Sequence, residues 1–148
     1  MRIKRKSLLL LIAMMLIFSS AALFGEGLQL AAYNGDLERV KEILKGEFDP
    51  DERDSFGGTA LHASMFQENM EIIELLINAG LDVNAQGTSN GYTPLHDAVW
   101  ANNLEAAKLL IKNGALLDIK GNDGLTPYDK AVKENRKQFV KYFDSLKD

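Results

Sequence analysis

Thr59-Ala60-Leu61-His62, Thr93-Pro94-Leu95-His96 and Thr126-Pro127-Tyr128-Asp129 are one short phrase repeated three times, at intervals of 34 and then 33 residues. A period near 33 residues marks a stacked array. A unit of that size cannot bury its own apolar face, so successive units stack and share one continuous core. The product is an elongated surface, which suits gripping a partner better than enclosing a reaction.

Working outward from the phrase lays out four units, at about 28–57, 58–91, 92–124 and 125–148. In each, a short helix is expected to begin at the Thr or Pro, where a hydroxyl caps free amides and proline fits the first turn. A second helix follows, with apolar residues at helical spacing, as in Ile72, Ile73, Leu75, Leu76 and Ile77. Gly80 and Gly114 stand where a left-handed residue ends such a helix. The segments from Asp82 to Gly91 and from Leu117 to Gly124 are rich in Gly, Asn and Asp and read as projecting, hairpin-like loops.

The second unit continues as Asn69-Met70-Glu71-Ile72-Ile73-Glu74-Leu75-Leu76-Ile77-Asn78-Ala79-Gly80-Leu81-Asp82-Val83-Asn84, and the third as Leu104-Glu105-Ala106-Ala107-Lys108-Leu109-Leu110-Ile111-Lys112-Asn113-Gly114-Ala115. Both resemble the ankyrin repeat, over about 120 residues of the chain. The resemblance implies an all-α solenoid of about four helix-turn-helix units with projecting loops. The first unit departs from the pattern: it lacks the Thr-Pro opening and has Glu47 where later units place Gly80 and Gly114. In the last unit Asp129 replaces histidine, and Arg136, Lys137, Gln138 and Lys141 alternate with Phe139, Val140, Tyr142 and Phe143. These two units read as caps whose outer faces meet water. One irregularity remains. Asn84 and Thr93 lie nine residues apart, against eight for Asp118 and Thr126, so the loop that ends the second unit carries one extra residue, within Gln86–Gly91, either a tolerated insertion or a partner contact.

The first residues are of another kind. Arg2, Lys4, Arg5 and Lys6 precede an unbroken apolar run from Leu8 to Phe18 and then Ser19-Ser20-Ala21-Ala22. That order reads as a secretory signal peptide over 1–22, cleaved near Ala22, ahead of a repeat domain over 23–148. The competing reading is an uncleaved anchor from Leu8 to Phe24, about 25 Å of helix against a hydrocarbon core of about 30 Å. Cleavage removes four of the 17 basic residues and none of the 21 acidic ones, leaving 13 against 21 and a net charge of −8. An acidic body of this kind is a poor match for a polyphosphate, so no nucleic-acid partner is expected. The absence of cysteine excludes disulfides, thiolate catalysis and Cys-ligated metal. The expected location is periplasmic or secreted, or at a membrane if the leader is retained, and the expected state is monomeric.

No catalytic constellation assembles, and neither a cofactor nor a metal site is expected. His62 and His96 are the only histidines, and in the family their position is structural, bonded to the local backbone and the neighbouring turn. The acidic run Asp49-Pro50-Asp51-Glu52-Arg53-Asp54 lacks the alternation, central glycine and closing glutamate of a calcium loop. Glycine-rich phosphate loops and nucleophile elbows are missing as well.

In arrays resembling this one, the loop tips and the inner face of the first helices form a concave protein-binding surface. By position, that implies Tyr33, Phe66 and Trp100 in equivalent places of three units, with Asn34 and Gln67 beside them. The loop tips add Ser55 and Phe56, then Ser89, Asn90 and Tyr92, then Asn122, Asp123 and Leu125. Aromatic side chains dominate binding hot spots, which favours a protein partner on this side. The competing reading is that the rings lean on one another and on helix ends and merely shield the core.

Overall fold

A computed structural model describes residues 27–147, so the leader and its cleavage point lie outside the described residues. Among those residues there are eight helices and no strand, and no helix is long and apolar enough to cross a membrane. In chain order the helices are α1 (27–34), α2 (Leu37–Leu44), α3 (Ala60–Ser64), α4 (Met70–Asn78), α5 (Pro94–Trp100), α6 (Leu104–Lys112), α7 (Pro127–Lys133) and α8 (Lys137–Asp144). They form four helix-turn-helix pairs stacked side by side, with α3, α5 and α7 in one row and α2, α4 and α6 in the other.

Local chemistry sets the boundaries. The second helices are capped by Asp36, Asn69 and Asn103, whose side chains accept the amides of Arg39, Glu71 and Ala106. In three of the four pairs the chain turns through a left-handed residue, glycine at Gly35 but asparagine at Asn102 and Asn135, a side chain that tolerates that conformation, whereas Glu68 at the same place in the second pair is not among the positive-φ residues. Gly80 and Gly114 end α4 and α6 with φ of 98° and 92°. The first unit leaves α2 without such a residue, since Gly46 is not among the positive-φ positions.

The core runs the length of the stack. Val40 and Ile43, then Ile72, Ile73 and Leu76, then Ala106, Ala107 and Leu110 face inward from the second helices, and Phe139 and Phe143 close the end. Leu61, Met65, Leu95 and Val99 meet them from the first helices. With each fully buried large side chain worth about 1.5–3 kcal/mol, this shared layer is what holds units that would not fold singly.

The loops are laced to one another rather than paired as strands. Thr88 N–H donates to Gly57 O at 3.0 Å, and Asn122 N–H to Asn90 O at 2.8 Å, linking each tip to the next. The turns at the tips of the first and third units close three residues back, from Gly57 to Asp54 and from Gly124 to Gly121. In the second unit Gly91 closes on Gly87, four residues back. The extra residue is thus absorbed by a wider turn, with the neighbouring register unchanged.

Candidate interaction surface

The repeated phrase builds the inner wall. In α3 the His62 ring sits almost fully buried, with its Nδ1 accepting the Thr59 amide at 3.1 Å and its Nε2 at 3.0 Å from the Tyr92 carbonyl. His96 repeats this, taking the Thr93 amide at 3.1 Å and reaching the Leu125 carbonyl at 3.0 Å. A carbonyl only accepts, so Nε2 carries the proton in both rings and Nδ1 is the acceptor. Burial holds both imidazoles below their usual pKa and in this neutral form. Each histidine therefore caps its own helix and pins the loop of the next unit. With both nitrogens committed, neither offers a lone pair to a metal or a proton to a substrate.

The same register is filled differently at the two ends. Gln29 is buried in α1 at the histidine position and its Nε2 donates to Glu52 O at 3.1 Å, pinning the loop of its own unit rather than the carbonyl that a histidine reaches in the next. Asp129 bonds only within its own unit, its Oδ2 taking the Thr126 amide at 3.0 Å and hydroxyl at 2.8 Å. Sequence reading missed Gln29, although counting four residues back from Tyr33 and from Phe66 gives Gln29 and His62.

At the far end of the same helices stand Tyr33, Phe66 and Trp100. Tyr33 and Phe66 lie 6.1 Å apart between centroids, and Phe66 and Trp100 meet edge to face at 5.7 Å. The rings do lean on one another, yet they remain 52%, 39% and 57% exposed. Side chains of the next unit hold their backbones in place: Gln67 donates to Tyr33 O, Asn103 to Gln67 O at 2.7 Å, and Arg136 to Trp100 O at 2.9 Å. The result is a continuous aromatic ladder across three units, extended by the exposed Leu30 one turn before Tyr33. Asn34 is exposed, while Gln67 is spent on the Tyr33 carbonyl.

The loop tips fall into two groups. Ser55, Phe56, Ser89, Asn90, Asn122 and Asp123 are exposed, Phe56 at 82%, though Phe56 forms no ring pair with the ladder among the described residues. Tyr92 is different. Its ring stacks on His96 at 4.9 Å with planes 2° apart, and a Cβ on Gly121 would stand 2.5 Å from it, so only glycine fits there. Its hydroxyl donates to Asp123 at 2.7 Å and receives Lys130 Nζ at 2.9 Å, while that ammonium also lies 4.6 Å over the ring. Leu125 is half-buried with its carbonyl held by His96. Tyr92 and Leu125 serve the joint between the third and fourth units.

Between ladder and tips runs a middle row that sequence reading missed: Leu30, Ala63, Asp97 and Lys130, each three residues before a ladder position. Three residues apart on a helix is the same face, so these side chains neighbour Tyr33, Phe66, Trp100 and Lys133. Asp97 is only 9% exposed, and burial, reinforced by Asp54 and opposed by Lys130, raises its pKa to about 7.

Helix pairs stacked in register, one wall of pinned loops and an exposed aromatic edge define a helical repeat solenoid. Residues 28–121, well over half of the chain, match the family described as ankyrin repeats (3 copies), and the chain belongs to that family. Its members are generally protein–protein interaction modules and typically non-catalytic. Among curated proteins the chain is similar to the human ankyrin repeat domain-containing protein 39, at 38% identity over 63 residues, 43% of this chain and 34% of that protein. It is also similar to palmitoyltransferase akr1 of Schizosaccharomyces pombe, at 39% identity over 59 residues, 39% of this chain and 9% of that protein. The matched region therefore spans about a third of the first relative's length and less than a tenth of the second's.

Proposed function

We propose that this chain is an exported, non-catalytic binding module that holds a partner protein on its concave side, centred on Tyr33, Phe66 and Trp100. The observation that carries the reading is the ladder itself: three rings in contact, on equivalent positions of successive units, each left between 39 and 57% exposed. A contiguous aromatic strip of this kind is unfavourable in water unless something covers it, and rings of this type anchor most protein interfaces. The exposed polar tips Ser55, Ser89, Asn90, Asn122 and Asp123 supply a rim. Export rests on the leader-like residues 1–22, and a periplasmic or secreted monomer is the form proposed.

Two variants of the reading have their own support. The net charge of −8 after cleavage would suit an inhibitor or immunity-type partner of a basic exported enzyme, with binding that weakens steeply in salt. The apolar run from Leu8 to Phe24 would suit a membrane-held adaptor, recognised by an intact leader in the mature chain.

The test is affinity capture from the exported fraction of the native organism, comparing the native bait with a Tyr33→Ser, Phe66→Ser, Trp100→Ser variant. A protein retained by the first and lost by the second supports the concave site. Equal retention by both baits would move the site to the tips, the convex side or a cap.

A further inference from the structure

Resting on that reading, we propose that the concave face takes a cationic side chain, a lysine or arginine of the bound segment, with the Asp97 carboxylate as its counter-ion and the Phe66–Trp100 edge as the bed for its aliphatic stem.

Asp97 is the one acidic side chain among those classed as buried in the described residues, and there it has neither an ion-pair partner nor a side-chain hydrogen bond. A carboxylate mostly withdrawn from water without a partner is unfavourable, and because the Asp97 oxygens are not among the fully enclosed polar atoms, a cation arriving from the concave side can complete it. The charges around it do not complete it. Lys130, facing it from α7, has its ammonium at 2.9 Å from the Tyr92 hydroxyl and 3.2 Å from Glu134. Asp54, acting on it from the loop of the first unit, is itself acidic and spends one oxygen on the amides of Phe56 and Gly58, at 2.9 and 3.0 Å. His96, beside it on α5, is neutral and fully bonded. Asp123 is engaged by Tyr92.

The surroundings suit a long cationic side chain. Ala63, the equivalent of Asp97 in the second unit, is small and one turn before Phe66. Trp100 lies one turn along the same face, with its indole more than half exposed. A methylene stem laid on these rings with its charge beside Asp97 gains apolar contact, a cation–π contribution and an ion pair in a partly dry site. The raised pKa of Asp97 means the carboxyl is about half protonated near pH 7, so docking of the cation releases a proton and strengthens above pH 7. The groups that face or border it are Asp54, Lys130, His96, Tyr92, Asp123 and Glu134, and of these Lys130 is the single cation.

The experiment is selection of random linear peptides on the immobilised full chain, in parallel with Asp97→Asn and Trp100→Ser variants. The native chain should enrich peptides that pair Lys or Arg with apolar residues. Asp97→Asn should keep the apolar preference, lose the basic one, and bind the selected basic peptides about ten- to a hundredfold more weakly. Replacing the peptide's basic residue by methionine should lower affinity for the native chain but not for Asp97→Asn, the coupling expected of a direct pair. Basic enrichment equal on the native and Asp97→Asn chains overturns the assignment to Asp97. Apolar peptides without basic residues, lost on Trp100→Ser, overturn this inference but leave the concave site standing. Peptides retained equally by Trp100→Ser overturn both.

Discussion

Tyr92 and Trp100 belong to the same unit and the same residue class, and the fold uses them in opposite ways. Tyr92 has its ring stacked on His96, its other side against Gly121 and Lys130, and its hydroxyl shared between Asp123 and Lys130. Trp100 makes one edge contact with Phe66 and otherwise faces water. The difference is in what surrounds them. A phenol placed among fixed donors and acceptors becomes part of the joint between two units. An indole at the end of a short helix, with no polar group aimed at it, stays available.

The largest effect should come from breaking that joint. Tyr92→Ala removes the stack on His96 and both hydroxyl bonds together, and should cost about 3 kcal/mol of folding stability. Trp100→Ala, trimming an equally large ring, should cost less than about 1 kcal/mol. Urea unfolding of the two variants measures both. Equal costs would erase the distinction between joint and ladder.

Asp97 lies between these regions and should respond with the opposite sign. Its folded-state pKa, about 7, stands above the 3.8 of the unfolded chain. The protonated form is the one folding favours, so the contribution of Asp97 to stability is highest below pH 3.8 and falls as pH rises toward 7. At about 1.4 kcal/mol per pKa unit the penalty has a ceiling of about 4 kcal/mol, and with part of the carboxyl still wet about 2 kcal/mol is expected. Asp97→Asn should therefore stabilise the chain by about 2 kcal/mol at pH 8 and progressively less toward pH 4. A destabilised Asp97→Asn protein at pH 8 would mean that the carboxylate is already satisfied within the fold.

How much of this the sequence discloses depends on the kind of interaction. The stacked helices follow from the 33-residue period and from Ile72, Ile73 and Leu76 at helical spacing, because burial is read from pattern alone. The ladder follows from register, since Tyr33, Phe66 and Trp100 fall on one position. The fate of Tyr92 does not. Its partners His96, Asp123 and Lys130 are up to 38 residues away, and register says which side a ring is on without saying what else points at it. Asp97 escapes for the same reason: its isolation depends on Lys130 being drawn to Tyr92 and Glu134, a competition decided only in three dimensions. Gln29 was hidden by residue type, an amide standing where an imidazole stands elsewhere and bonded to the loop at Glu52.

The joint should also show in its response to acid. Both histidines have folded-state pKa values lowered by burial, below the 6.5 of the unfolded chain. Their contribution is whole above pH 6.5 and is lost as pH falls through the folded value, opposite in sign to Asp97. Protonating Nδ1 breaks its bond from the threonine amide, worth about 1 kcal/mol. In the Asp97→Asn background, where the opposing carboxyl is gone, stability should therefore fall by about 1 kcal/mol between pH 7 and pH 5. The native chain should be flatter over the same range. A flat profile in the variant would mean that the imidazoles are not the neutral acceptors that the Thr59 and Thr93 amides require.

The smallest change is the most discriminating. Tyr92→Phe keeps the ring on His96 and Gly121 and deletes the oxygen that Asp123 and Lys130 share. The hydroxyl lies near the surface, so its loss should cost only about 0.5 kcal/mol, far less than Tyr92→Ala. It should also loosen Lys130, whose ammonium then keeps only Glu134 and the ring face and can swing toward Asp97, the unpaired carboxylate on the adjacent helix. Such a swing would lower the pKa of Asp97, and with it the stability that Asp97→Asn adds at pH 8. The gain from Asp97→Asn should thus be smaller in the Tyr92→Phe background than in the native one, a coupling read from a double-mutant cycle. An undiminished gain would show that Lys130 is kept from Asp97 by something other than the Tyr92 hydroxyl, and that joint and binding face are energetically separate after all.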